Sequence, residues 1–151
     1  QLALMPASVA ILAPGVNAFR RLRKNLTEPV FNSWGYNTRS AALRIPCSDE
    51  SNRRIEYRLA GADANPYLVA ATILTGMLYG LEHIDEGDLP EPQHDQPELP
   101  LFQQEAIEAF ARCQYLTDSL GDAFSEQWVA CKLSELDWFE RIVTQEESHL
   151  A

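Results

Sequence analysis

Five consecutive residues, Arg54-Ile55-Glu56-Tyr57-Arg58, carry the densest chemical potential in this chain. In an extended strand, side chains alternate between faces. Arg54, Glu56 and Arg58 then share one face, and Ile55 and Tyr57 share the other. A carboxylate between two guanidiniums is either a solvated cross-strand ladder, worth about 1 kcal/mol or less per pair, or part of a site for anions and a metal. Further arginines bear on that choice. Arg21, Arg39 and Arg44 lie upstream, and an antiparallel partner strand over Ala41 to Ile45 places Arg44 beside the Arg54/Glu56/Arg58 face. Arginine offers a rigid fork of donors matched to carboxylate and phosphate oxygens. Converging arginines make a cage for a polyanion such as a nucleoside triphosphate. Glu56 among them suits a cation, Mg²⁺ or Mn²⁺, bridging phosphate oxygens.

Charge distribution supports this focus. The chain has 151 residues, enough for one domain, and a net charge of -10. That charge argues against a general nucleic-acid or anionic-membrane binder, because both require positive charge. Yet nine of the twelve Lys and Arg residues fall between Arg20 and Arg58, against only four acids. Cys47, Cys113 and Cys131 form no CxxC, so they suggest neither a zinc site nor a disulfide framework. Reduced thiols and a cytoplasmic location are the expectation. His83, His94 and His149 are read as surface residues. P-loop, GxSxG, HExxH and GxGxxG motifs are all missing.

The elements that must position these groups follow from local signals. Residues 2–12 are apolar and predict a short buried helix, with Pro6 tolerated near its start. Val16 to Asn37 reads as a long loop. Two strands, Ala41 to Ile45 and Arg54 to Leu59, flank a polar turn over Cys47 to Asn52. Asn65-Pro66 signals a helix start, and the helix running to about His83 is apolar nearly all round, which predicts a central buried helix. Gly76 and Gly80 predict close packing along it. The acid- and proline-rich stretch Asp85 to Leu101 reads as an exposed loop. Helices follow over 102–120, stopped by Gly121, and over 122–143, with Phe124, Trp128, Cys131, Leu136, Phe139 and Val143 as the core stripe. The predicted fold class is α+β, a small antiparallel sheet flanked by several helices. The chain also begins without Met, in mid-pattern, as a piece of something longer would.

Several ordered segments resemble the glutamine synthetase family's catalytic domain, in its C-terminal portion. They are Pro14-Gly15-Val16-Asn17-Ala18-Phe19-Arg20-Arg21-Leu22, Trp34-Gly35-Tyr36-Asn37-Thr38-Arg39-Ser40, Leu43-Arg44-Ile45-Pro46, Arg54-Ile55-Glu56-Tyr57-Arg58 and Ala64-Asn65-Pro66-Tyr67-Leu68. The resemblance covers nearly all of residues 1–151. It implies an ATP-dependent ligase in which the γ-carboxylate of glutamate is phosphorylated and an amine then displaces phosphate. By motif position, Arg21 would hold the substrate α-carboxylate, and Arg39 would face the transferred phosphoryl group. Arg44 and Arg54 would contact ATP phosphates, and Glu56 would ligate the Mg²⁺ or Mn²⁺. Arg58 would act on the γ-carboxylate and its phosphorylated form.

Two departures qualify the acceptor. Where the family usually carries Tyr-Glu-Ala-Pro, this chain has Leu26-Thr27-Glu28-Pro29, with the acid one residue out of register. The Asn17-Ala18-Phe19, Trp34-Gly35 and Gly61-Ala62-Asp63-Ala64-Asn65-Pro66 variants resemble the γ-glutamylpolyamine branch, whose acceptor is putrescine or a related amine. No tyrosine stands in 85–101 to match the nucleotidylated tyrosine of bacterial glutamine synthetases. The family's N-terminal domain and its other metal-binding glutamates and histidine have no counterpart here. The expectation is that this chain alone is inactive and does not form the family's double ring. Ammonia is the first reading of the acceptor, a polyamine such as putrescine is the alternative, and a non-catalytic homologue with an assembly or regulatory role is a third reading.

Overall fold

The computed structural model describes residues 1–23, 28–84 and 97–142. His94, His149, Val143, Thr27 and most of the acidic proline-rich stretch lie outside the described residues. Among the described residues, no helix is long and apolar enough to cross a membrane.

The chain opens with a 3-10 turn, Leu2–Leu4, that leads into α1, Met5–Leu12. Pro6 sits in the first turn of α1, where a missing N–H costs no helical hydrogen bond. Seven of its eight residues are buried, Pro6 being the exception. The one polar side chain buried within it, Ser8, is satisfied by donating to the Leu4 carbonyl at 2.8 Å. α1 therefore forms the centre of the core, packed with Phe19, Leu22, Leu43, Leu59, Phe110 and Leu116.

Part of the predicted loop is ordered as α2, Val16–Arg21. Six residues with two arginines and an asparagine carry too little helical period to be read locally. Phe19 and Leu22 anchor the segment by burial.

The sheet has three strands, β1 (Trp34–Tyr36), β2 (Leu43–Ile45) and β3 (Glu56–Tyr57), in the order β1-β2-β3. The expected antiparallel pair is β2–β3, with Leu43 opposite Tyr57 and Arg44 opposite Glu56. β1 adds a parallel partner on the other side of β2, so the sheet is mixed. Its close return requires special backbone. Asn37 adopts φ 51°, a left-handed conformation that asparagine tolerates, and its N–H bonds the Ile45 carbonyl at 2.8 Å. Gly35 allows the approach of Thr38, since a Cβ there would lie 2.8 Å from Thr38 Cγ2. β3 is shorter than the expected 54–59. Ile55 precedes it and is exposed, while Tyr57 packs against the core, so the two do not share a buried face.

α3, Pro66–Glu82, starts where Asn65-Pro66 dictates: Asn65 Oδ1 accepts from Tyr67 N at 2.9 Å and from Leu68 N at 3.4 Å. It is not the central buried helix. Only Thr72, Thr75 and Gly76 are buried. Tyr67 is 83% exposed and Leu81 68%, and Leu74, Met77, Leu78 and Ile84 are exposed as well. Local composition records how apolar a helix is, not which face is covered. Gly76 is closely approached, by the Gln1 side chain, which donates to the Ile73 carbonyl at 2.7 Å. Gly80 has nothing within 4 Å, so the close packing predicted there is absent.

The helix expected over 102–120 divides at Cys113 into α4 (Gln103–Arg112) and α5 (Gln114–Leu120). The break lets Phe110 and Leu116 both reach the core. Gly121, at φ 91°, then turns the chain into α6, Asp122–Glu140. Phe124 and Trp128 of the predicted stripe pack on the core, but Cys131 is exposed, and Ser125 alone is buried in α6.

Candidate functional site

The β2–β3 register places Arg44 directly opposite Glu56. Arg44 Nη1 donates to Glu56 Oε2 at 2.7 Å, and its Nη2 donates to Asn37 Oδ1 at 3.0 Å. Arg54 grips the other carboxylate oxygen, with Nε at 3.1 Å and Nη2 at 2.9 Å from Oε1. Glu56 is thus clamped between two guanidiniums. Its carboxyl is held below the usual carboxylate range, chiefly by the hydrogen bond from Arg44 and then by that from Arg54.

Arg58 follows Glu56 by two residues. Its backbone N–H bonds the Ala42 carbonyl at 2.9 Å, and its Nη1 reaches the Ala41 carbonyl at 3.4 Å. Arg21, at the end of α2, donates from Nη1 to Glu28 Oε2 and from Nη2 to the Leu59 carbonyl, both at 2.7 Å. It therefore lies beside the chain leaving β3. Arg39 is exposed in the β1–β2 connection. The structure thus joins Arg44, Arg54 and Glu56 in one network, sets Arg58 at its end and Arg21 beyond Leu59, and leaves Arg39 outside it.

Three contributors escape a reading of the sequence alone. Asn37 orients Arg44, Glu28 pairs with Arg21, and Asp63 stands against Gly61 next to Arg21. Asn37 left a trace, since asparagine after a short apolar run suits a left-handed turn. The partners of Arg21 are tertiary and left none.

Arg44 Nε is buried without an acceptor, and Arg54 is 54% exposed. A buried donor lacking a partner costs free energy. The described residues do not fit a metal ion by themselves. Both oxygens of Glu56 are engaged by arginines, and among the described residues no group of three His, Cys, Asp or Glu residues could hold one.

Comparison with known proteins meets this geometry. The sequence profile described as glutamine synthetase, catalytic domain, matches residues 1–150. The chain is 45% identical over 150 residues to the gamma-glutamylputrescine synthetase PuuA of Escherichia coli (strain K12), covering 95% of this chain and 31% of that protein. Lengsin of Mus musculus is 36% identical over 138 residues, covering 84% and 24%. The glutamine synthetase of Pyrococcus woesei is 31% identical over 156 residues, covering 95% and 35%. The solved structure of apo GmaS without ligand superimposes with a TM-score of 0.82 at 26% identity, over 98% of this chain and 35% of that one. The chain spans about a third or less of the length of these relatives. With a profile match across essentially its whole length, the chain belongs to the glutamine synthetase catalytic-domain family.

Proposed function

We propose that this chain is the C-terminal part of an ATP-dependent ligase that joins the γ-carboxylate of glutamate to an amine. The γ-phosphoryl group of ATP passes to the γ-carboxylate, giving γ-glutamyl phosphate and ADP. The amine nitrogen then displaces inorganic phosphate to form the amide. The observation that carries this reading is the Arg44–Glu56–Arg54 network with Arg58 at its end, on the segments that match the family.

Arg44 and Arg54 suit the phosphate oxygens of ATP, since a guanidinium fork stabilises charge that develops during phosphoryl transfer. Arg39 and Arg58 serve the transferred group, and Arg58 together with Arg21 binds glutamate. Family members use ATP with divalent metal. Glu56 would contribute one carboxylate to Mg²⁺ or Mn²⁺, with the remaining ligands supplied by chain outside these residues. A small diamine of the putrescine type is the preferred acceptor, supported by the 45% identity to a gamma-glutamylputrescine synthetase against 31% to a glutamine synthetase. Ammonia is the second reading.

The test is steady-state turnover of the longer protein that carries this chain, with glutamate, ATP and a panel of ammonia, putrescine and longer amines. Replacing Arg58 with Ala should lower kcat by about 10³ while circular dichroism stays unchanged. Activity that survives Arg58→Ala would sink the site assignment. Turnover with ammonia alone would move the acceptor to the second reading.

A further inference from the structure

Asn37 holds the end of β1 to β2 at two consecutive residues. Its backbone N–H bonds the Ile45 carbonyl at 2.8 Å, and its Oδ1 accepts from Arg44 Nη2 at 3.0 Å. Arg44 Nη1 is fixed on the other side by Glu56 Oε2 at 2.7 Å. Bonds to both terminal nitrogens set the plane of the guanidinium, which a single bond would leave free to swivel. Each terminal nitrogen carries a second N–H, and the Arg44 side chain is 21% exposed, so it can be reached from solvent.

Position 37 sets three demands that asparagine meets together. Its φ of 51° is left-handed, a conformation that glycine, asparagine and aspartate take more readily than most residues. Arg44 bonds an acceptor there, and glycine has none. That acceptor is also neutral, whereas aspartate would add a charge. Two guanidiniums, Arg44 and Arg54, against one carboxylate, Glu56, leave the network with one positive charge. A carboxylate at 37 would cancel it, and the attraction for an anion would fall accordingly.

We propose that Asn37 is a positioning residue for nucleotide binding, fixing the Arg44 guanidinium toward phosphate oxygens without cancelling its charge. This rests on the reading of Arg44 as an ATP phosphate contact and adds the group that orients it. Asn37 acts through Arg44 and does not itself touch the nucleotide. Its effect therefore falls on nucleotide affinity, and only while Arg44 is present.

The experiment is calorimetric titration of the longer protein that carries this chain with a nonhydrolysable ATP analogue and Mg²⁺. Asn37→Gly keeps the left-handed backbone and the N–H bonded to Ile45, and deletes only the side-chain acceptor. It should weaken the analogue about fivefold, the loss expected of one hydrogen bond, with little change in Tm. Asn37→Asp keeps the acceptor and should weaken the analogue as well, most strongly at low salt. Arg44→Ala should weaken it about twentyfold, and adding Asn37→Gly to Arg44→Ala should cost nothing more. If Asn37→Gly binds the analogue like wild type, the proposal is overturned while Arg44 keeps its assignment. A loss from Asn37→Gly that persists without Arg44 shows a structural role and overturns it too. Wild-type affinity in Asn37→Asp overturns the need for a neutral acceptor. If Arg44→Ala leaves the affinity unchanged, or wild type does not bind the analogue, the Arg44 reading fails and the proposal falls with it.

Discussion

Arg44 and Glu56 stand opposite one another across β2 and β3, and their side chains close that register with a 2.7 Å ion pair. Backbone pairing and charge pairing thus specify the same alignment. Arg54 closes on the remaining oxygen of Glu56 at 2.9 Å. Arg44, Glu56 and Arg54 thus form one salt-bridge ladder. The ladder holds Arg44 with a buried Nε still lacking an acceptor.

The first prediction concerns pH. The Glu56 carboxyl is depressed by Arg44 first and Arg54 second. A group whose folded pKa lies below its unfolded value stabilises the fold above the unfolded value, about 4.3 for Glu, and loses that contribution as pH falls through the folded one. Wild type should melt above Glu56→Gln by a constant margin from pH 7 down to about 5, and the margin should close toward pH 3. Thermal scans across that range measure it. A margin that does not change with pH would mean Glu56 contributes shape rather than charge.

A second prediction isolates the start of α3. Asn65 Oδ1 accepts from two N–H groups of the first turn. Asn65→Ala should destabilise by about 1 kcal/mol, a fall of about 3 °C in Tm for a chain of this size. Asn65→Asp should fall by less than half as much, since aspartate caps equally well. Equal losses for both would point to packing and not to the cap.

What could be read from the residues alone followed the reach of the interactions. Asn65-Pro66 is a signal contained in adjacent residues, and α3 begins there. Strand alternation put Arg44 beside the Glu56 face, and β2–β3 delivers it. β1 was hidden because three residues, Trp34–Tyr36, carry no alternation and pair in parallel, which no turn announces. Cys113 breaks a helix without a glycine or proline, the reason being tertiary: Phe110 and Leu116 both reach the core. The pairing of Arg21 with Glu28 is likewise invisible until α2 and the segment after it are folded together.

A third prediction separates the helix that is central from the one that is merely apolar. Phe110 on α4 is fully buried in the cluster around α1, so Phe110→Ala should cost about 3–5 kcal/mol. Leu81 on α3 is exposed, so Leu81→Lys should change stability by less than about 0.5 kcal/mol while lowering binding of a hydrophobic dye. Urea unfolding of the two variants compares them directly. A large loss from Leu81→Lys would show that α3 buries that face in solution.

The last prediction uses a contact between α3 and α5. Tyr115 donates its hydroxyl to Glu82 Oε2 at 2.6 Å, and its ring meets Tyr79 edge-on with centroids 4.9 Å apart. Tyr79 in turn stacks on His83 at 4.0 Å. Ionising Tyr115 would remove the donor and set a phenolate against a carboxylate, so its pKa is pushed up to about 12, chiefly by the hydrogen bond to Glu82. Glu82→Gln removes the charge and should return the phenol toward about 10, the ordinary tyrosine value. Phenolate absorbance near 295 nm should then show one additional tyrosine ionising between about pH 10 and 11 in the variant, and Tyr115→Phe in the same background should abolish it. Superimposable titrations of wild type and Glu82→Gln would show that the contact does not hold α5 against α3 in solution. The Tyr79–His83 stack would then have to hold the end of α3 without support from α5.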